Sequence, residues 1–342
     1  ADVVVENFRP GVMERLGLSY ETLSELNPRL VYAAIRGFGD PRSGKSPYSD
    51  WPSYDVVAQA MGGVMSLTGP DAGSFTKVGP GIGDIFSGMV MAFGIMAALR
   101  HADAYGTGQF VDVAMYDAVL SLCERAVYLN DFHGTTPGPE GNNHPFLAPF
   151  GLFKAQDGAV AIGIVDDKFW QILANAMEGE TLSSNPKFAT RSARAENKDE
   201  LNSLVETWTK SRTKAELSAM LGGKVPFGPL NSIQDIVDDP HVANRNMLTQ
   251  VSNPDDPKAT WTVASNPLRF SASESPLLGS PPRLGQHNAQ YLSPDPEKAA
   301  RQFDPRTLRN AFGKFATGVT IITTCQSDGT PRGITANSFT SV

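Results

Sequence analysis

The chain has 342 residues and a net charge of −7, with 41% hydrophobic and 19% charged residues. This length suits about two domains, and the composition is typical of a globular protein and argues against disorder. The acidic balance argues against nucleic acid as a partner, and an anionic ligand would need a local basic site.

The two cysteines, Cys123 and Cys325, lie far apart and form neither a disulfide framework nor the spacing of a zinc site. We therefore expect a cytoplasmic protein without a metal. The most apolar run, Ile82–Leu99, is borderline in length for a membrane span and contains Asp84. It predicts a buried core helix, with no membrane as a partner.

The first part of the chain alternates β-branched runs with helical patterns, which predicts an α/β domain with crossover connections. In chain order the predicted elements are a strand at Val3–Val5, a helix at Tyr20–Leu26 that Ser19 caps, a strand at Leu30–Arg36, a helix at Tyr54–Met61, a helix at Ile82–Arg100, a strand at Phe110–Met115 and a helix at Asp117–Tyr128. Residues 37–53 are rich in Gly, Ser and Pro and predict an exposed loop.

The second part of the chain predicts a smaller α/β unit. Its elements are a strand at Gly158–Val165 and helices at Lys168–Met177, Asn197–Lys210, Thr213–Leu221, Ile233–Val237 and Pro240–Met247. Residues 293–302 are polar and predict a linker, after which a new pattern begins at Phe303.

Two segments carry residues suited to chemistry. Glu6–Gly11 follows a predicted parallel strand, the end at which α/β sheets place ligands, so Arg9 and Arg15 could hold phosphates and Phe8 could stack on a base. Asp117 leaves a strand and opens a helix, and a helix N-terminus keeps a nucleophilic carboxylate ionised. The same patterns are also typical of a solvated loop and of a simple capping aspartate, so both alternatives stay open.

A third segment, Tyr54–Gly63, has ordinary cap residues, Tyr54 and Asp55, before an apolar helix that stops at two glycines. Together the three segments resemble class III CoA-transferases, the family of formyl-CoA and carnitine CoA-transferases. Further matching segments are Lys77–Gly79, Gly83–Asp84, Gly106–Gln109, Val225–Asn231, Asp239–Pro240 and Leu284–His287.

The resemblance implies a large Rossmann-like α/β domain at residues 1–135 plus 265–292 and a smaller α/β domain at 150–250. It also implies a homodimer of interlocked subunits. The substrates would be an acyl-CoA and a carboxylic acid acceptor, with coenzyme A passing between acids through an aspartyl anhydride and an aspartyl-CoA thioester.

By the same resemblance, Asp117 would be the nucleophile. Asn7, Phe8, Arg9 and Arg15 would contact CoA, and Tyr54 with Asp55 would line the site. The family's first βα region is absent here, and the chain begins and ends within strand patterns, so we expect a fragment truncated at its N-terminus. Where formyl-CoA transferases carry a glycine run, residues 141–145 read Gly-Asn-Asn-His-Pro, which disfavours formyl-CoA and oxalate as substrates.

The tail, residues 303–342, is similar to the start of the flavin reductases, whose split β-barrel binds FMN. By that similarity Thr335, Asn337 and Ser338 would contact the flavin in a complete domain. We expect an incomplete barrel segment here and weak FMN binding or none, because two or three strands cannot close a barrel.

Two alternatives to CoA transfer remain at this stage. The same fold includes 2-methylacyl-CoA racemases, which carry a histidine just before the position of Asp55. Here that position is Tyr54, a poor base near neutral pH, which favours a transferase. The other alternative is an inactive fragment or fusion that keeps only part of a CoA or flavin site.

Overall fold

The computed structural model describes residues 1–256, 258–273, 279–288, 320–325 and 331–336. Contacts between residues divide the chain into two compact units, Ala1–Leu230 and Asn231–Val342. The finer partition predicted from the sequence, with one domain at 1–135 plus 265–292 and another at 150–250, stays a prediction.

The first unit opens with a three-stranded parallel sheet in the order β1, β2, β3. Its strands are β1 (Val3–Glu6), β2 (Val31–Arg36) and β3 (Phe110–Ala114). The helices that follow each strand are α1 (Val12–Arg15) and α2 (Tyr20–Leu26), then α3 (Asp55–Met61), α4 (Val64–Leu67) and α5 (Ile82–Tyr105), then α6 (Met115–Leu122) and α7 (Glu124–His133). The α/β prediction is confirmed, since both crossovers contain helices.

Strand β2 is central and nearly all of it is buried. Its small Ala33 packs in one hydrophobic cluster with Met91 of α5, Val113 of β3 and Ala118 of α6. Parallel pairing places Glu6 beside Ala34 and Arg36 beside Ala114, so the three strands end along one edge of the sheet. Ligand sites in α/β proteins lie at this edge.

The rest of the first unit surrounds a three-stranded antiparallel sheet in the order β4, β5, β6. Its elements are β4 (Phe150–Ala155), β5 (Gly158–Gly163), α8 (Asp167–Met177), α9 (Glu180–Ser183), α10 (Arg191–Glu196), α11 (Lys198–Lys210), α12 (Lys214–Leu221) and β6 (Phe227–Pro229). Trp170, Phe153 and Leu201 lie fully inside its hydrophobic core. This core is larger than the clusters beside the parallel sheet.

The second unit contains two short helices and two antiparallel strand pairs in its described part. These elements are α13 (Ile233–Val237), α14 (Pro240–Asn244), β7 (Leu248–Ser252) paired with β8 (Thr260–Ala264), and β9 (Thr320–Cys325) paired with β10 (Pro331–Ala336). The predicted linker at 293–302 lies outside the described residues. Two described strands make a hairpin and not a closed barrel.

Helix α5 corrects the prediction of a buried core helix. One face carries Ser87 and Met91 and is buried, while Met89 and Phe93 on the other face are 61% and 78% exposed. By length and composition alone α5 would also qualify as a membrane span. The buried face, however, packs with Ala33 and Val113 of the sheet, as in a core helix with one side uncovered. Because the sequence of α5 is apolar all round, its pattern could not show which side is covered.

Candidate active site

Asp117 lies in the first turn of α6, directly after β3. The prediction placed it at the start of the helix, but α6 begins two residues earlier, at Met115, with Ala114 as its N-cap. The predicted single helix at Asp117–Tyr128 is also divided in two at Cys123. The carboxylate still lies within the turn where helix N–H groups favour negative charge. It is exposed and accepts no hydrogen bond from the described residues.

Asp117 lines a cleft of about 400 Å³ at the carboxyl edge of the parallel sheet. The other lining residues are Phe38, Gly44, Lys45, Ser46, Tyr48 and Tyr116. The ring of Phe38 lies 5.5 Å from that of Tyr48 and 6.3 Å from that of Tyr116, measured between centroids. The cleft therefore combines an aromatic wall with hydroxyl groups, one carboxylate and one ammonium group.

Most of this lining belongs to the loop at residues 37–53, which follows β2. A Cβ atom on Gly37 would lie 2.3 Å from the Cβ of Ser53, so only glycine lets the two ends of the loop approach this closely. The backbone N–H of Tyr116 donates to the carbonyl of Gly37 at 3.1 Å. The start of α6, and with it Asp117, is thereby tied to the loop.

A buried ionic network anchors the same loop to the sheet. Arg36, at the end of β2, donates to Glu6 of β1 at 2.7 Å and also pairs with Asp40. The backbone N–H of Asp40 donates to the carboxylate of Asp112 in β3 at 3.0 Å. Desolvation by burial raises the pKa of Glu6, although Arg36 opposes that shift. All three strands thus hold the loop that carries the cleft.

The predicted CoA-binding residues after β1 lie beside this loop but do not line the cleft. Arg9 donates through Nη2 to the carbonyl of Asp50 at 2.7 Å, which joins the end of β1 to the loop. Asn7 and Arg15 are exposed. Phe8 packs against the cluster of Met13, Leu30 and Tyr32, so its ring is partly committed to the core. Their role in CoA binding stays a prediction.

Tyr54 and Asp55, the other predicted site residues, lie at the start of α3. Asp55 accepts hydrogen bonds from Gly83 N at 2.8 Å and from Gln59 Nε2 at 2.9 Å, so its carboxylate links α3 to α5. The side chain of Tyr54 is exposed. Neither residue lines the cleft around Asp117.

Sequence reasoning missed the cleft residues Phe38, Lys45, Ser46 and Tyr48. It interpreted residues 37–53 only as an exposed loop. The position of the loop in the sequence could have identified these residues, because the loop follows a buried parallel strand at the edge of the sheet where ligands bind. A lysine in such a loop is a candidate for an anionic ligand.

The predicted flavin residues are only partly described. Thr335 lies in β10, and Asn337 and Ser338 lie outside the described residues. Within the described part of the chain, no group of three His, Cys, Asp or Glu residues is placed to hold a metal ion.

Comparison with known proteins finds similarity over most of the chain. The sequence profile of CoA-transferase family III matches residues 1–288. Succinyl-CoA:mesaconate CoA-transferase of Haloarcula hispanica is 43% identical over 85% of this chain and 73% of its own length. Acetyl-CoA:oxalate CoA-transferase of Acetobacter aceti is 35% identical over 81% of this chain and 69% of its own length. A crystal structure of a CAIB/BAIF family protein from Brucella suis superimposes with a TM-score of 0.73 at 33% identity, covering 86% of this chain and 75% of that one.

Proposed function

The chain belongs to CoA-transferase family III and transfers CoA between carboxylic acids, and we propose that Asp117 is the nucleophile of that reaction. The observation that carries this assignment is the cleft. Asp117 is the carboxylate among its lining residues, it is exposed, and it lies in the first turn of α6. A helix N-terminus stabilises the ionised form that must attack.

The proposed reaction proceeds through covalent intermediates on Asp117. Its carboxylate attacks the thioester carbonyl of the donor, the C–S bond breaks, and CoA leaves as a thiolate while a mixed anhydride forms. The thiolate then attacks the aspartyl carbonyl, which gives an aspartyl-CoA thioester and releases the donor acid. Such covalent catalysis divides one difficult exchange into easier steps.

The second half of the reaction reverses these steps with the acceptor acid. The acceptor carboxylate attacks the aspartyl thioester and expels the CoA thiolate, forming a second anhydride. The thiolate attacks the acceptor carbonyl of that anhydride, so the new acyl-CoA forms and the Asp117 carboxylate is restored. No net proton is taken up or released.

For CoA itself we propose the predicted contacts at the end of β1. Arg9 and Arg15 supply positive charge to phosphates, and Asn7 and Phe8 lie beside them on the chain. The hydrogen bond from Arg9 to the carbonyl of Asp50 places this basic segment next to the loop that lines the cleft. We also propose that Tyr54 and Asp55, at the start of α3, line the part of the site that binds CoA.

For the acyl group we propose a dicarboxylic acid. The succinyl-CoA:mesaconate relative is named for a dicarboxylic donor and a dicarboxylic acceptor, and the acetyl-CoA:oxalate relative is named for a dicarboxylic acceptor. The Gly-Asn-Asn-His-Pro sequence at residues 141–145 disfavours only formyl-CoA and oxalate, and a four-carbon dicarboxylate is compatible with it.

We also propose a homodimer in which a second copy covers α5. Ile85, Met89, Phe93 and Met96 follow one another along one face of α5, and each is more than 60% exposed. A stripe of this kind on a surface marks an interaction site. A reducing compartment, the cytoplasm, suits the buried free thiol of Cys123.

The tail is proposed to be the beginning of a flavin-reductase-like domain, and FMN receives no role in CoA transfer. The described part of the tail is the β9–β10 hairpin, and a two-stranded sheet does not enclose a flavin. The described residues of the tail therefore do not form a complete FMN site.

Trapping the intermediate tests the assignment of Asp117. The protein mixed with succinyl-CoA should gain the mass of CoA on the peptide that contains Asp117, and hydroxylamine should release it. Asp117→Asn should form no adduct, yet change the free energy of unfolding by less than about 1 kcal/mol, because the interaction of an exposed first-turn carboxylate with the helix dipole contributes no more than that. An adduct on another residue, or full turnover by the Asn variant, would disprove the assignment.

A further inference from the structure

Lys45 is a cation in the cleft that the proposed mechanism does not use. It lines the same cavity as Asp117, its side chain is exposed to that cavity, and it has no acidic partner among the described residues. Arg36 and Arg42, the cations that flank the start of the same loop, are already paired with the carboxylates of Glu6, Asp40 and Glu21. Lys45 is thus available to an anionic ligand.

The segment that follows Lys45 is ordered by hydrogen bonds and ring contacts of its own. The backbone N–H of Tyr48 donates to Ser46 Oγ at 3.1 Å, and Ser49 Oγ donates to the carbonyl of Ser46 at 2.8 Å. The Tyr48 ring lies 4.8 Å from that of Trp51. On its other side the segment is anchored through Asp40 to the buried network. Lys45 therefore extends from a segment that hydrogen bonds hold on both sides.

Electrostatics give this cation a specific use. A dicarboxylic acid brings a second negative charge into a cleft that already contains the Asp117 carboxylate, on a protein with a net charge of −7. Repulsion would weaken binding unless a local cation compensates for it. An ammonium group at the end of a flexible chain can pair with a carboxylate without a fixed bidentate geometry.

We propose that Lys45 binds the distal carboxylate of a dicarboxylic acyl group while Asp117 attacks the other end. The inference rests on the proposed function and deepens it, because it assigns the choice between dicarboxylic and monocarboxylic acids to one side chain. Lys45 is a specificity-determining residue in this scheme and takes no part in bond making.

The test compares two donors that differ in the distal carboxylate, succinyl-CoA and butyryl-CoA, with mesaconate as the common acceptor. Lys45→Met should lower kcat/KM for succinyl-CoA at least about tenfold more than for butyryl-CoA, the loss expected for a charge-assisted hydrogen bond. Lys45→Arg should keep most of the preference because it keeps the charge. Lys168→Met, which removes an exposed lysine of α8, is the matched control and should leave the ratio unchanged.

Equal losses for both donors in Lys45→Met would overturn the proposal, since that result indicates a contact with CoA itself or a structural role of the loop. No loss for either donor would overturn it as well. Thermal unfolding of each variant shows whether the substitution in the loop destabilises the fold. If Lys45→Met is unstable, the donor preference is measured in Lys45→Arg.

Failure of this proposal is distinguishable from failure of the proposed function. Calorimetric titration with the two acyl-CoA compounds measures the preference as a ratio of Kd values, independently of turnover. If Asp117→Asn retains transfer, the nucleophile is wrong while the effect of Lys45 on the ratio still stands. If the unaltered protein binds butyryl-CoA as tightly as succinyl-CoA, the dicarboxylate class and the role of Lys45 are both wrong.

Discussion

Removing Arg36 should both destabilise the first unit and disorganise the cleft. The side chain of Arg36 is 5% exposed and those of Glu6 and Asp40 are 1% exposed, so the three groups form a desolvated network. In Arg36→Met the two carboxylates lose their shared cation. Breaking a buried pair in this way costs about 3–5 kcal/mol, which corresponds to a fall in Tm of roughly 6–20 °C for a unit of this size.

Glu6→Gln is the matched control for the charge. Glutamine keeps an acceptor for Arg36, and Arg36 keeps its pair with Asp40. Its cost should therefore stay near that of one altered hydrogen bond, about 0.5–1.5 kcal/mol. Thermal and urea unfolding measure the stability of both variants, and kcat/KM for succinyl-CoA shows whether the cleft still supports the reaction. Arg36→Met should lose activity even at temperatures where it is fully folded.

The pH dependence gives a second signature. Burial raises the pKa of Glu6 above its ordinary 4.5, and Arg36 lowers it, so removal of Arg36 should raise the pKa further. A carboxyl group with a raised pKa in the folded state contributes stability that is present in full below its unfolded pKa and is lost as pH rises through the folded one. Arg36→Met should thus be less destabilised at pH 5 than at pH 7.5. Equal destabilisation at both pH values, or equal losses in Arg36→Met and Glu6→Gln, would refute the network as the anchor.

Three further predictions follow from the same structure. Arg9→Ala should raise KM for the acyl-CoA far more than KM for the acceptor acid, because it removes the proposed phosphate contact, and a charge-assisted contact of that kind contributes about 1.5–3 kcal/mol; equal changes in both KM values would contradict a CoA contact. Phe93→Asp, in the exposed stripe of α5, should convert a dimer to a monomer in sedimentation velocity, whereas Lys168→Asp on α8 should not, and a wild-type monomer would contradict the dimer. Titration of FMN with the protein should leave flavin fluorescence unquenched at micromolar concentrations, and micromolar binding would show that the tail folds into more than a hairpin.

Local pattern was sufficient for much of the fold. The strand predicted at Leu30–Arg36 is the buried strand β2, and Ser19 does accept a hydrogen bond from Thr22 N as the cap of α2. Thr213, predicted as the first residue of its helix, is instead the N-cap of α12 and forms a capping box with Glu216. These features depend on residues close in sequence, for which the physical rules are strongest.

The site was less predictable because its parts meet through tertiary contacts. Lys45 and Asp117 are far apart in sequence, and no local rule shows that the loop after β2 folds over the start of α6. The network of Glu6, Arg36 and Asp112 joins three strands, and its members become neighbours only through the parallel register. Helix α6 begins at Met115, because neither Met115 nor Tyr116 opposes helix formation. Asp117 therefore lies in the first turn of the helix and not at its cap.

The make-up of the cleft also separates CoA transfer from the isomerase chemistry of the same fold. Exchange through an aspartyl thioester requires a nucleophile and moves no net proton, whereas racemisation at C2 requires bases on both faces of that carbon. The cleft lining, all of it within the described part of the chain, offers the Asp117 carboxylate and no histidine. Tyr54 stands where racemases have a histidine, and Asp55 is held by the N–H of Gly83 and by Gln59. Two opposed bases are therefore not assembled around this cleft, and the geometry that exposes Asp117 favours the transferase.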